Sequence, residues 1–326
     1  FCYRYVQHTR CYSFSTYAKK CRFLSTYSFK IVFSQILFNS STVFKMNKSQ
    51  SIQLDNIVIR FSGDSGDGMQ LTGNLFAQLS AELGNEISTF TDFPSEIRVP
   101  QGTLGGVSGF QVHVGANKIY TPGDEIDVLV ALNPAALKVN AKNLKKGSIV
   151  IFDRDSFQPS DLKKANFTTD NPFEELSLSE TIQLIPIPLT TLTKSSLENF
   201  GFDNKTVLRS KNMLALGLVC WLFNRPLDKA IHFLENKFAK KPQILQANIK
   251  VLTDGYNYGE NLHLTVSNFV IEKSHEMPKG KYTSINGNKA TAWGLIAAAE
   301  KAGLQLFLGS YPITPATDIM HELALQ

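Results

Sequence analysis

Residues 60–79 read RFSGDSGDGMQLTGNLFAQL. An apolar strand end runs into a turn of alternating glycine and aspartate, and Leu71, Leu75 and Leu79 then recur four apart with Phe76 beside them, the pattern of one buried helical stripe. Strand, glycine turn and helix in succession is the arrangement that turns backbone N–H groups toward a phosphate, yet Asp64 and Asp67 put two carboxylates into the turn. A P-loop needs Lys and then Ser or Thr after its glycines, and a dinucleotide turn needs G-x-G-x-x-G. Gly63, Gly66, Gly68 and Gly73 fit neither. The glycines permit a tight turn and close helix packing, and Asp67 is expected to cap the helix start and complement its dipole. Asp64 is expected to do likewise or to bond across a subunit contact.

Outward from this turn, strands and helices alternate. NIVIRFSG (56–63) precedes it, and EISTFTDF follows the helix. GVSGFQVHVG (106–115) is expected to point Val107, Phe110, Val112 and Val114 inward. DVLVALN (127–133) is a continuous apolar run followed by Pro134, a favoured first helical residue, and SIVIFD comes after Gly147. This order predicts an α/β fold, a mostly parallel sheet with helices on both faces. In TIQLIPIPL (181–189), Pro186 and Pro188 push the strand to an edge or end of the sheet. One long helix is expected over 206–223 and two more near 227–240 and 243–254, all explained by packing. KSHEMPKGKYTS (273–284) reads as a linker. Beyond it, a helix over 288–302 ends at Gly303, LQLFLGS reads as a strand, and a Pro-punctuated turn enters a helix with Thr317 and Asp318 as caps. About 40 residues is near the limit below which a lone core seldom holds, so this last part is expected to be the start of a larger domain.

The formal charge of +5 belongs to the first 45 residues, which carry seven Lys/Arg and no acid; the rest has 26 basic against 28 acidic side chains. The body therefore gives no reason to expect nucleic acid as a partner. Residues 1–45 superficially resemble a transit peptide, but their Phe, Tyr and Cys content, and Met46 just after them, favour a non-native or disordered basic leader. Three of the four cysteines lie in that leader and only Cys220 in the body. One thiol makes neither a disulfide framework nor an iron–sulfur cluster, so a reducing, cytoplasmic setting is expected. The six histidines show no pair at ligand spacing, and no metal site is expected. No run reaches the ~18 apolar residues that span a bilayer.

GSYPITPATDI, with GNKATAWGLIAAAEKAG upstream, resembles the opening of the alpha subunit of the 2-oxoacid:ferredoxin oxidoreductases. GDSGDGMQLTGN, FPSEIRVPQGTLGGVSGFQVHVG and RSKNMLALGLVCWLF resemble that family's gamma domain. Gamma followed by alpha in one chain is the order of the fused subunits that act on 2-oxoglutarate. The resemblance implies a gamma domain over 46–272, a linker over 273–284, and over 285–326 the incomplete start of a thiamine-diphosphate-binding α/β domain.

It further implies oxidative decarboxylation of 2-oxoglutarate to succinyl-CoA. The cofactors would be thiamine diphosphate shared with a beta subunit, coenzyme A as co-substrate, and an iron–sulfur cluster in the partner; ferredoxin would be the acceptor. Pyruvate or branched-chain 2-oxoacids are alternative substrates, and a noncatalytic assembly or ligand-binding module is the alternative of another class. This stretch of chain alone is expected to be inactive.

Thr314 would supply the hydrogen bond that a developing alkoxide needs, with Pro312 and Pro315 stiffening the turn; its other reading is a rigid strand-to-helix bend. Tyr311 is either pocket wall or core aromatic, and His321 is a surface or packing residue. For coenzyme A the resemblance points to the amides of Gly66 and Gly68. Arg98 is a forked donor for an anion or a partner subunit, or else pairs with Glu96 or Asp92. Cys220 reads as an inert buried thiol.

Overall fold

The computed structural model describes residues 51–94, 99–178, 182–262, 267–278, 280–283 and 285–326. β1 (Ile52–Gln53) pairs in parallel with β8 (Phe269–Val270) as a small sheet of its own. The central sheet comprises β2 (Asn56–Asp64), β3 (Glu86–Asp92), β4 (Val107–Gly115), β5 (Ile126–Ala131), β6 (Leu144–Asp153) and β7 (Gln183–Ile187), in the order β3-β4-β2-β5-β6-β7. β2, β5, β6 and β7 pair in parallel, and β4 is antiparallel to both its neighbours, so β3 runs the same way as β2. β7 lies at one edge, as its prolines demand: Pro186 lies opposite Phe152 and has no N–H to offer a further strand.

The first crossover and the next cover opposite faces. α1 (Met69–Glu82) carries β2 to β3 over one face, where Leu75, Phe76 and Leu79 pack with Ile57, Ile59 and Phe61 of β2 and with Phe110, Val112 and Val114 of β4. α2 (Pro134–Asn140) carries β5 to β6 over the other, where its Ala135, Ala136 and Leu137 meet Leu129, Ala131, Val150 and Phe152, joined by α3 (Pro159–Lys164) through Leu162. Asn133 caps α2 by accepting the Ala136 N–H at 2.8 Å, with Pro134 as the first helical residue. Val107 differs in parity from Phe110, Val112 and Val114, so it points to the α2 face and not to theirs. Leu71 is only partly buried; the buried stripe of α1 is centred on Leu75, Phe76 and Leu79, with Thr72.

Beyond the short α4 (Pro172–Glu175), α5 (Leu189–Ser196) follows β7. The helix expected over 206–223 is two: α6 (Asn204–Leu208) and α7 (Lys211–Leu222), with Arg209 and Ser210 between them. α8 (Leu227–Phe238) and α9 (Pro242–Leu262) come next, α9 extending well past the predicted end. α7 is buried on every side from Asn212 to Leu222. Its backbone lies against that of α9 through two glycines: a Cβ on Gly217 would sit 2.0 Å from the Leu252 carbonyl oxygen, and one on Gly255 would sit 2.2 Å from that of Leu214. Only glycines allow that approach.

α10 (Gly287–Ala302), capped by Asn286 and closed by Gly303 in the left-handed conformation, packs with α11 (Thr317–Ala324). Residues 304–310 form no strand. Leu304 is 71% and Phe307 91% exposed, and a strand exists only where a neighbour pairs with it. α11 is entered from Ala316 without a side-chain cap. Thr317 instead donates its hydroxyl to the Ile313 carbonyl at 3.1 Å. Among the described residues no helix is long and apolar enough to cross a membrane, and no three His, Cys, Asp or Glu form a metal-binding group.

Candidate functional site

All the parallel strands deliver their carboxyl ends to one side of the sheet. The chain leaves β2 toward β3 over one face and leaves β5 toward β6 over the other, so a crevice opens between β2 and β5, the place where open α/β sheets receive ligands. The loop of Gly63 to Gly68 occupies it. Gly66 (φ +111°) and Gly68 (φ +79°) adopt dihedrals that only glycine takes without strain. Above Gly66 an added Cβ would enter open space, whereas at Gly68 it would strike the Asn212 amide nitrogen at 2.2 Å. The first glycine is thus required by its dihedral and the second by dihedral and room together.

Gly68 is the N-cap of α1, with no side-chain cap. Asp67, expected in that role, turns backward: its Oδ2 accepts the Asp64 N–H at 2.9 Å. The carboxylate braces the loop from beneath, because Gly63 has no side chain in the way; a Cβ there would lie 2.8 Å from Asp67 Oδ2. The amides of Gly66 and Gly68 have no hydrogen-bond partner among the described residues. Asp64 Oδ2 accepts the Gly102 N–H at 2.8 Å, and the Ser65 N–H donates to Gly106 O at 3.1 Å. The glycine loop is thereby stitched to the loop before β4.

Three further elements close on this point. From β6, the wholly buried carboxylate of Asp153 accepts from Lys211 Nζ at 3.0 Å, the Ser156 hydroxyl at 2.6 Å and the Thr190 hydroxyl at 2.7 Å. From the start of α7, the Asn212 amide donates to Gly68 O at 3.3 Å. Asn133, from the end of β5, lies beside Asp64. Burial raises the Asp64 carboxyl above its ordinary value, with the Asp67 charge adding to the effect; burial likewise raises Asp67, opposed by Lys211.

Lys211, Asn212, Asp153 and Asn133 escaped the sequence reading. A charged residue at the carboxyl end of the apolar run SIVIFD, and KN opening a helix that is otherwise apolar, were the available signals.

The second group of candidates lies in the turn between α10 and α11. Tyr311 is 76% exposed, so it is no core aromatic here, and Pro312 and Thr314 are exposed too. The Thr314–Pro315 peptide is cis. The Asn288 amide donates to Pro315 O at 3.0 Å and the Thr317 N–H to Ile313 O at 3.0 Å, which fixes the turn, while the Thr314 hydroxyl has no partner among the described residues. These bonds run to α10, to α11 and within the turn, and none reaches the glycine loop.

Arg98 and Glu96 lie outside the described residues; Asp92 pairs with Arg60, whose guanidinium lies over Gly109 and also donates to Gln111. His321 is exposed. Cys220 is fully buried, which pushes its thiol up to about 12 and leaves it unreactive.

Residues 58–258 match the family described as pyruvate ferredoxin/flavodoxin oxidoreductase. Over 272 residues, 83% of the chain, it is 46% identical to 2-oxoglutarate oxidoreductase subunit KorA of Mycobacterium tuberculosis, covering 41% of that relative. It is 26% identical to ketoisovalerate oxidoreductase subunit VorA of Methanothermobacter marburgensis over 61% of the chain and 36% of the relative. Among solved structures, 2-oxoglutarate:ferredoxin oxidoreductase from Magnetococcus marinus, with 2-oxoglutarate, coenzyme A and succinyl-CoA bound, superposes with a TM-score of 0.62 at 28% identity. That match covers 83% of this chain and 41% of the other. The chain thus spans well under half the length of these relatives, and by the span and the fold of that match it belongs to the pyruvate ferredoxin/flavodoxin oxidoreductase family.

Proposed function

We propose that the chain serves in a cytoplasmic 2-oxoacid:ferredoxin oxidoreductase that converts 2-oxoglutarate and coenzyme A to succinyl-CoA and carbon dioxide, with ferredoxin taking the electrons. The observation that carries this reading is the 46% identity, over 272 residues, to a 2-oxoglutarate oxidoreductase subunit. A partner beta subunit supplies the iron–sulfur cluster and most of the thiamine diphosphate site.

Within this chain, the crevice loop presents the amides of Gly66 and Gly68 to the phosphates of coenzyme A. Arg98 is assigned to the same anion. The chemistry of the loop fits the role: glycines in ligand-accepting dihedrals, two free N–H groups, and open space above Gly66. The turn of Tyr311, Pro312 and Thr314 fits the thiamine ring by the same kind of test, with an unpartnered hydroxyl on a braced bend next to exposed apolar side chains. When bound, thiamine diphosphate supplies the carbanion chemistry of decarboxylation. Thr314 would donate a hydrogen bond to the keto oxygen of a bound 2-oxoacid, and Tyr311 and Pro312 would line the thiamine ring.

The test is coexpression of the full-length gene with its beta partner and measurement of viologen dye reduction. The rate should require both 2-oxoglutarate and coenzyme A, and Thr314→Val should lower kcat about a hundredfold, the scale of one lost oxyanion donor. Full activity in the variant removes Thr314 from the chemistry, and no turnover with any 2-oxoacid removes the enzyme reading in favour of an assembly module.

A further inference from the structure

We propose that the carboxyl pair Asp64 and Asp67 takes up a proton from solvent when an anion settles on the amides of Gly66 and Gly68, so that the acidic loop and its anionic ligand are compatible only as a proton-linked pair. The inference rests on the coenzyme A reading above and adds to it how the site tolerates its own charge.

The geometry states the problem. Among the described residues, three carboxylates, Asp64, Asp67 and Asp153, share one ammonium, Lys211. That ammonium hydrogen-bonds elsewhere, to Asp153 at 3.0 Å and Ser156 at 3.4 Å, and acts on Asp64 and Asp67 only through its charge. Asp153 is fully buried and accepts from the Ser156 and Thr190 hydroxyls as well as from Lys211, so that ammonium is tied to it.

Asp64 and Asp67 are left against each other, three residues apart, with the Asp67 carboxylate folded back onto the Asp64 amide. Asp64 is 9% exposed, and its Oδ1 is buried without a hydrogen-bond partner among the described residues. A buried carboxylate oxygen with no donor is costly as an anion and much less so as a protonated hydroxyl. An incoming phosphate a few ångströms above adds negative charge to a group already short of positive charge. Two like charges at one site cannot both remain ionised cheaply, and the more weakly solvated one takes the proton.

Charged groups from the surrounding elements also face the pair. Lys211 comes from α7 and Asp153 from β6, with Asp155 next to it holding the Thr191 N–H. Asn133, the N-cap of α2, is uncharged, and its side chain partly offsets the cost of the Asp64 anion. On the loop before β4, Gly102 gives its N–H to Asp64; beside it, Lys164 of α3 packs its methylene stem and spends its ammonium on Asp161 at 3.1 Å. Arg98, assigned above to the same anion, carries one charge against the several of coenzyme A, and among the described residues none of these groups neutralises the remainder, whereas a proton lowers it.

The decisive measurement is calorimetric titration of coenzyme A into the full-length complex in two buffers of equal pH and ionic strength but different ionisation enthalpy. The same titration is run on Asp67→Asn and Asp64→Asn. Wild-type enzyme should take up a fraction of a proton to one proton per ligand beyond what the variants take up, and the comparison cancels the ligand's own ionisation. Its affinity should weaken with rising pH by up to about tenfold per unit, the limit for one linked proton, and the slope should flatten in either variant. Asn keeps an oxygen for the Asp64 N–H in the first variant, and the two substitutions check each other's folding. Binding with equal proton uptake in all three proteins overturns the inference and leaves the coenzyme A reading standing. No binding to wild type at any pH overturns that reading itself.

Discussion

Asp67 shows how one side chain can be found by sequence and still be assigned the wrong work. Its position at a helix start advertises a cap, but a cap needs the carboxylate to turn forward, and the vacancy left by Gly63 lets it turn back to the Asp64 amide instead. The consequence is measurable in stability. Burial raises both carboxyls above their ordinary 3.8. The fold therefore holds their protons more tightly than the unfolded chain does, and their favourable contribution is complete below pH 3.8 and lost as pH rises through the raised values. Asp67→Asn should be more stable than wild type at neutral pH by a few degrees in Tm, about 2–4 °C for each kcal/mol in a domain of this size. The difference should shrink toward pH 4, and a variant equally stable at all pH contradicts the assignment. Glu175 has the opposite sign. The Thr168 amide, helped by the Thr168 hydroxyl and the Thr169 amide, holds its carboxyl down to about 2. Its contribution is present above pH 4.5 and lost as pH falls toward 2. Lys211 and Asn212 could not be assigned from sequence for a different reason: Asn212 meets Gly68 across 144 positions, a contact that exists only once the sheet is folded.

Elements were more legible than their ends. β2, β4 and β5 fall where apolar runs predict them, because a strand buried on both faces has few polar positions to disguise it, whereas β3, EISTFTD, has no fully buried residue. The helix expected over 206–223 breaks at Arg209 and Ser210, and that break turns a continuous buried helix into one whose first turn, Lys211 and Asn212, opens onto the crevice. The segment 304–310 reads as a strand and pairs with nothing among the described residues, since pairing depends on a partner that its own sequence does not contain. Where α7 and α9 touch backbone to backbone, sequence gave only scattered glycines. Gly217→Ala would drive a methyl to 2.0 Å from the Leu252 carbonyl oxygen and force the helices apart. Overpacking costs about 1–3 kcal/mol, and a clash with backbone belongs at the upper end of that range. Urea unfolding of the variant should show that loss in its midpoint, and a loss below about 1 kcal/mol would mean that the two helices are not in backbone contact.

At the scale of the whole molecule, function follows from strand order. A chain that leaves β2 over one face and β5 over the other must open a crevice between their carboxyl ends, and the acidic glycine loop is what the sequence placed there. Family membership fixes the architecture, and the turn of Thr314 is held by α10 and α11 with no hydrogen bond to that loop. The proposed role of the loop, to receive the phosphates of coenzyme A, is tested most directly by the steady-state kinetics of Gly68→Ala in the assembled enzyme. A Cβ at φ +79° and 2.2 Å from Asn212 distorts the loop. A left-handed strain of about 1–2 kcal/mol corresponds to roughly tenfold. The KM for coenzyme A should rise about tenfold or more while the KM for 2-oxoglutarate stays within about twofold. An unchanged KM for coenzyme A in a folded, assembled variant would contradict the account.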